Sequence, residues 1–402
     1  MQITETLEFL TQIHTSWNNT EQRMALRKFP RRYLSYEYIG VESWQSQYLR
    51  ALLYNKQTEQ IEIPLWHAAS PLPDTTYPGQ TQIKLSTDKL WGYRGCRNII
   101  LWFSDKRGGD TYAVQALLGD GTVKLGEQIQ SIYPGATTTI CPVSYAVLQP
   151  EDQYAIYDSA HMSMQINLEL LTDFTLTPIP ASLDEFHFEP WKTKNPWQEA
   201  LPATYLGAEV FGIAPAWADD LSGRFARSAN KLDNQAGVVK YDLKSLNTSE
   251  SREIDYLSLS RSEINNLQRF FCRCKGRLKS FWAPTWLADM VLTANAEKGQ
   301  NYLLVEWPLF WKYYRNLARR KTIVVFLNNQ TARILTIAGF TTDDAGNGKL
   351  ILERPLPEGF RKEAVAMISF LCRYRFDSDT MTTDYETVDV AFTSFSFAEV
   401  DQ

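Results

Sequence analysis

Histidine and cysteine are scarce in this 402-residue chain. There are four His (His14, His67, His161, His187) and five Cys (Cys96, Cys141, Cys272, Cys274, Cys372). No CxxC pair occurs and no two His stand at helical or hairpin ligand spacing, so neither a zinc ribbon nor a paired-His metal site is expected. An odd, sparse Cys set also argues against a disulfide framework and fits a reducing cytoplasm during assembly. Cys272 and Cys274 lie two apart on an expected helix, so they point to different faces and cannot chelate one ion together; one of them is expected in the core. Glycine-rich phosphate loops, a GxSxG elbow and an HExxH pair are absent. The acidic pairs Asp219-Asp220 and Asp343-Asp344 sit in loop-like sequence and read as solvated. No catalytic residue, cofactor or metal is therefore expected, and the chain does not read as an enzyme.

Two further absences narrow the class. No apolar run approaches 18 residues, so no membrane span is expected. The first 17 residues lack a basic region followed by an apolar core, so no signal peptide is read. Charge of one sign is also lacking: 41 basic against 46 acidic residues give −5. Bulk electrostatic binding to nucleic acid is therefore not expected, despite dense Arg and Lys at 23–32 and 315–321.

What is present is size, apolar content and aromatics. The length fits two or three domains. A 44% apolar share with 22% charge supports a packed core. Twelve Trp and 20 Tyr lean toward β-rich architecture.

The chain also repeats itself. Residues 64–93 and 284–313 align without a gap at an offset of 220, and eight of the thirty positions are identical. They are Pro64/Pro284, Trp66/Trp286, Ala68/Ala288, Leu72/Leu292, Gly79/Gly299, Gln80/Gln300, Trp91/Trp311 and Tyr93/Tyr313. Upstream, Tyr33-Leu34-Ser35 is matched to Tyr256-Leu257-Ser258. Downstream, the β-branched runs Ile99–Phe103 and Ile323–Phe326 read as buried strands. Asp120-Gly121 and Asn347-Gly348 read as type I′ hairpin turns.

The sequence thus reads as two tandem copies of one module, at 1–175 and 205–402. Each is expected to be mainly β with some α, a sandwich or barrel-like unit with one principal helix, near 41–54 and 262–275. Between them, 176–204 carries Pro178, Pro180, Pro190, Pro196 and Pro202, which makes it a connector. Its Phe186, Phe188, Trp191 and Trp197 suggest that it packs on a surface. The second helix opens with a capping box, Ser260 with Glu263, carries an apolar stripe at Ile264, Leu267, Phe270, Phe271 and Cys274, and closes at a left-handed Gly276. The first repeats the stripe with Val41, Trp44, Tyr48 and Leu52. Trp66, Trp91, Trp286, Trp311, Pro64 and Pro284 are the expected structural core.

One segment resembles a known family. Thr20–Arg27 followed by Pro30-Arg31-Arg32-Tyr33-Leu34-Ser35-Tyr36 is similar to a recurrent stretch in tail proteins of long-tailed bacteriophages. Lys231-Leu232-Asp233-Asn234, Gly237, Tyr241-Asp242, Arg252 and Phe281–Trp286 supply the companion pattern. The resemblance covers roughly 20–70 and 208–292. It implies a structural tail-tip component, a distal tail, upper baseplate or minor tail protein, forming a ring between tail tube and baseplate hub. The implied partners are other copies of the chain, the tail tube protein, the tape measure protein and hub proteins. The implied location is the virion, after assembly in the host cytoplasm. Because the first copy lacks Leu-Asp-Asn, its leading hairpin is expected to be shortened or lost. Three duplicated chains would supply six similar sites, so a trimer is favoured and a hexamer is the alternative. The basic residues Arg23, Arg27, Arg31 and Arg32 are the candidate interface, facing acidic residues of a neighbour. The competing function is a carbohydrate-binding receptor-recognition β-sandwich, with Trp91, Trp102, Trp311 and Tyr314 as aromatic platforms.

Overall fold

Side chains at Met162, Met164, Ile166, Leu168 and Leu170 are all buried, every second one along a single strand. That period of two recurs through a mainly β chain whose strands pair in antiparallel ladders. The computed structural model describes residues 2–400 except 17–19, 42, 104–107, 151, 160, 172–186, 188–196, 198–199, 218–220, 245–247, 307–312, 315–316 and 343–347.

The first half contains β1 (Gln2–Glu8), β2 (Thr11–Thr15), β3 (Glu21–Ala25) and β4 (Arg31–Val41), then helix α1 (Ser43–Lys56). β5 (Gln60–Pro64), β6 (Ser70–Pro71), β7 (Gln82–Lys84), β8 (Asn98–Phe103) and β9 (Gly108–Leu117) follow. β10 (Thr122–Leu125), β11 (Thr138–Leu148), β12 (Gln153–Ile156) and β13 (Met162–Leu170) complete it. β4 lies between β1 and β13. β13 also pairs with β11 and β12. β11 carries β5, β6 and β8, and the path continues β8–β9–β10–β7.

The second half opens with the small β14 (Thr204–Tyr205) and β15 (Ala208–Glu209). β16 (Ser222–Ala226), β17 (Ala229–Leu232), β18 (Lys240–Leu243), β19 (Ser249–Ser258) and helix α2 (Arg261–Cys274) come next. Then follow β20 (Ser280–Pro284), β21 (Tyr302–Val305), β22 (Thr322–Leu327), β23 (Ala332–Thr342) and β24 (Gly348–Leu352). β25 (Val365–Phe376), β26 (Thr380–Tyr385) and β27 (Ala391–Glu399) end the chain. Here β19 lies between β16 and β27. β27 pairs with β25 and β26. β25 carries β20 and β22, and the path continues β22–β23–β24–β21.

The order of pairing follows that of the first half, except that β6 has no strand counterpart among the described residues and an isolated bridge of Met290 with Ile368 stands in its place. The Gly-Gln identity has a local cause: Gly79 and Gly299 hold φ of 90° and 81°, a region open mainly to glycine. The Gly79 amide donates to Ile129 O and the Gly299 amide to Leu356 O, each at 2.9 Å. Gln80 Oε1 accepts from the Tyr77 amide as Gln300 Oε1 accepts from the Glu297 amide.

Several expectations need correction. The hairpin β2–β3 is present with five opposed pairs, so the first half keeps its leading hairpin. A missing Leu-Asp-Asn does not remove it, because the ladder is made by backbone groups that other residues supply equally well. The Tyr33/Tyr256 match is slipped. At the offset from Ser43 to Arg261 that superposes the helix starts, Leu34 meets Arg252, not Leu257. Leu34 is buried and Leu257 is 40% exposed, as an odd-numbered slip along a strand requires. At Asp120-Gly121 only Gly121 has positive φ, so the turn is not type I′; the Gly121 amide donates to Leu118 O. Asn347 lies outside the described residues, as do both acidic pairs.

α2 matches its sequence reading. Ser260 Oγ accepts from the Glu263 amide, and Glu263 Oε2 accepts from the Leu259 amide. The left-handed cap is Lys275 (φ 54°), followed by Gly276 (φ 60°). Cys272 and Cys274 are both buried, as are the other three cysteines. α1 departs from expectation: Trp44 is 51% and Tyr48 68% exposed. Its inward face is Leu49, with the part-buried Leu52 and Leu53. Those three sit at i, i+3 and i+4, whereas Trp44 and Tyr48 occupy the neighbouring face.

Of the connector, the described residues are few, and Phe186, Phe188 and Trp191 lie outside them. Trp197 packs on Phe326 and its indole donates to Leu327 O at 3.2 Å, so this end is fixed on the second half.

Candidate functional site at the junction of the halves

The edge of one half continues into the edge of the other. β1 pairs antiparallel with β26, from Ile3 opposite Tyr385 to Glu8 opposite Thr380. Alternation along both strands turns Ile3, Glu5 and Leu7 inward with Met381, Thr383 and Tyr385. Thr4 and Asp384 face the other side, where their side chains share a 2.6 Å hydrogen bond.

Glu5 is therefore driven into the interior by strand geometry, and a buried carboxylate needs partners. Glu5 Oε1 accepts from Arg32 Nη2 at 2.7 Å and Nε at 3.1 Å. Glu5 Oε2 accepts from Gln268 Nε2 at 2.8 Å and from the Tyr385 hydroxyl at 2.9 Å. Arg94 and His67 stand at 3.7 and 3.8 Å. All six side chains are buried. Burial alone would raise the Glu5 carboxyl, but Arg32 foremost, with Arg94, holds it well below the usual carboxylate range. His67 is pushed down to about 3, chiefly by burial, so it is neutral at physiological pH.

α2 presses this cluster from the other side. Asn265 Nδ2 donates to Asp88 O at 2.7 Å, and Arg261 donates to His67 O. Trp91 Nε1 donates to Gln268 Oε1 at 2.7 Å, and Arg94 (4.0 Å) and Arg269 (5.8 Å) both stand over the indole. The hairpin β2–β3 adds an outer clamp. The Thr11 amide donates to Asp379 at 2.7 Å, and Arg375 holds Glu21 at 2.8 Å. The cores interlock as well: Leu7 and Phe9 enter the Phe-rich core of the second half, while Ile264, Tyr385 and Ala391 enter that of the first.

The expected core residues fall as follows. Trp91 is 2% exposed, but it is a hub of the junction. Burial removes it as an aromatic platform for sugar. Trp286 is buried and stacked on Phe326 at 5.3 Å. Trp66 is only half-buried, packed edge-on against Trp102 at 5.8 Å. Pro64 and Pro284 occupy the same place in β5 and β20, opposite Val143 and Leu371. Trp311 lies outside the described residues.

The basic segment divides. Arg32 is 1% exposed and bound to Glu5, so it is withdrawn from any contact with a neighbour. Arg27 pairs with Glu8 at 3.2 Å, Arg31 with Glu169 at 3.7 Å and Arg23 with Glu21 at 3.6 Å. Sequence reasoning missed Glu5, His67, Gln268 and Tyr385. The available signal was Glu5 at an inward position of an alternating strand.

A second feature lies on the far side of the second half. It is a cleft of about 390 Å³ lined by Phe225, Arg252, Asp289, Tyr314, Arg320 and Glu399 among others. Arg320 bridges Glu250 (3.2 Å) and Glu399 across its floor, and Arg252 holds Glu250 at 2.7 Å. Asp289 is raised, first by burial. Among the described residues no group of three His, Cys, Asp or Glu could hold a metal, and no helix is long and apolar enough to cross a membrane. Neither a protein-family model nor a curated protein matches the chain.

Proposed function

We propose that this chain is a structural component of a bacteriophage tail tip, a distal tail or upper baseplate protein. In this reading it consists of two copies of one module, 1–175 and 205–402, joined by the connector 176–204. The observation that carries the reading is the closely matching order of strand pairing in the two halves, together with their head-to-tail junction through β1 and β26. A contact between two different edges of like units is heterologous, and repetition of such contacts generates rings. Three chains then supply six modules, which suits a six-fold tail tube above and a three-fold hub below. The resemblance of 20–70 and 208–292 to tail proteins directs this ring to the virion, with the tail tube, tape measure and hub proteins as partners.

Electron microscopy of the purified protein tests the ring, and immunogold labelling of phage particles tests its place. A ring of three chains and label at the tail tip are expected. Particles without label overturn the tail assignment. A ring of six chains related by true six-fold symmetry overturns the stoichiometry.

A further inference from the structure

The junction inside the chain has a vacant counterpart. At the offset that aligns β4 with β19, β1 corresponds to β16. The ladders of β13 and β27 likewise make β12 the counterpart of β26. Yet among the described residues β16 pairs with β19 alone, and β12 with β13 alone. Each leaves one edge open, and all residues of both strands are exposed. Phe225 (73%), Tyr154 (59%) and Ile156 (62%) stand in solvent, while their counterparts Leu7, Thr383 and Tyr385 are buried. Open apolar edges of this kind are templates for strand addition.

The surroundings repeat the asymmetry. α2, seated in the junction, buries 11 of its 14 residues, whereas α1 buries Leu49 alone. The α2 residues that reach across are Arg261, Asn265 and Gln268; their α1 counterparts Ser43, Gln47 and Arg50 are all exposed. The receiving surface is equally vacant. Where the first half has Leu7, Arg32 and His67 beneath α2, the second has Phe225, Glu250 and Leu287, and these line the 390 Å³ cleft.

We infer that β12 and α1 of one chain dock onto β16 and the Phe225 cleft of a second copy, repeating the β26–α2 contact on β1. This rests on the ring reading above and names the surfaces that close it. Transfer of the internal register sets Leu221 opposite Ile156, Ser222 opposite Ala155, Gly223 opposite Tyr154, Arg224 opposite Gln153 and Phe225 opposite Asp152. β16 and β12 are different surfaces, so the contact is heterologous and each chain both offers and receives one.

The test uses the full chain. Ser222→Cys and Ala155→Cys occupy the places of Thr4 and Asp384, whose side chains touch. Directly opposed Cα atoms about 4.5–5.5 Å apart lie within disulfide range. Mixing the two single variants under mild oxidation should give a disulfide-linked dimer, and the double variant a closed multimer. Ser222→Cys mixed with Tyr154→Cys, one residue out of register, should link at least tenfold less. Phe225→Asp should abolish the multimer seen by native mass spectrometry without lowering the melting temperature of the monomer. If the parent chain forms a multimer but linkage ignores register, or each variant links to itself, these surfaces are wrong and the ring stands. If the parent chain is monomeric at every concentration, both readings fall.

Discussion

Glu5 and Gln268 lie 263 residues apart in sequence and meet at 2.8 Å in the buried junction. Glu5 at once neutralises Arg32, so removal of its carboxylate leaves an uncompensated guanidinium beside Arg94. Glu5→Ala should cost about 3–5 kcal/mol, the range for breaking one side of a buried ion pair. Gln268→Ala should cost less, because it removes hydrogen bonds but leaves no buried charge without its counter-charge: Glu5 keeps Arg32. Chemical denaturation of both single variants and the double variant gives the coupling. Additive losses would show that the two side chains do not communicate.

Acid should loosen the same junction. His67 is held at about 3 in the fold against an ordinary 6.5, so the unfolded chain takes up the extra proton between those values. Its contribution is complete above about pH 6.5 and shrinks as pH falls toward 3, by up to about 1.4 kcal/mol per unit. Glu5, also depressed, adds to the loss below its ordinary 4.5. The melting temperature should fall from pH 7 to pH 4, and His67→Gln should flatten the upper part of that fall. An unchanged profile in His67→Gln would remove His67 from the account.

Trp91 and Trp66 look alike in the repeat but carry different loads. Trp91 is buried in the junction in contact with two guanidinium groups, and its truncation to Ala should cost about 3–5 kcal/mol. Trp66→Ala should cost clearly less, because the ring keeps a solvent-facing side and its main ring contact is Trp102. Urea melts of the two variants separate these cases; equal losses would contradict the difference in burial.

The charge reversals Arg27→Glu and Arg31→Glu address the expected interface. Arg31 is exposed and its pair with Glu169 contributes little, while Arg27 and Glu8 are part-buried and contribute somewhat more. The double variant should stay folded, with circular dichroism unchanged, while incorporation into tails is lost. Normal incorporation would exclude this segment from the interface.

The sequence made the mainly β architecture and the helices α1 and α2 legible, because each rests on local chemistry; it showed the Gly79/Gly299 and Gln80/Gln300 identities but not the turn they make. The Ser260 capping box and the stripe Ile264–Cys274 specify α2 without help from distant residues. The junction was not legible. Its members come from β1, β4, the Trp66–Ala68 turn, α2 and β26, and only tertiary pairing brings Glu5 to Tyr385. Trp44 and Tyr48 misled for a related reason: aromatic spacing marks an apolar stripe but not which partner covers it.

α1 and α2 offer the last prediction, since both have 14 residues and differ mainly in what surrounds them. Amide exchange reports local opening, which is easiest where few buried contacts hold an element. α2 is pinned by Phe270 and Phe271 on one side and by Trp91 and Glu5 on the other, so its amides should exchange with global unfolding. α1 is held on its inner side only, by Leu49, Leu52 and Leu53. Its amides should exchange roughly tenfold or more faster in the isolated chain. If a second copy covers α1 as the first half covers α2, that gap should narrow on assembly, with Gln47 and Arg50 protected first. Hydrogen exchange with mass spectrometry on monomer and assembled fractions measures both states. Protection that appears elsewhere while α1 still exchanges freely would show that assembly leaves this helix uncovered.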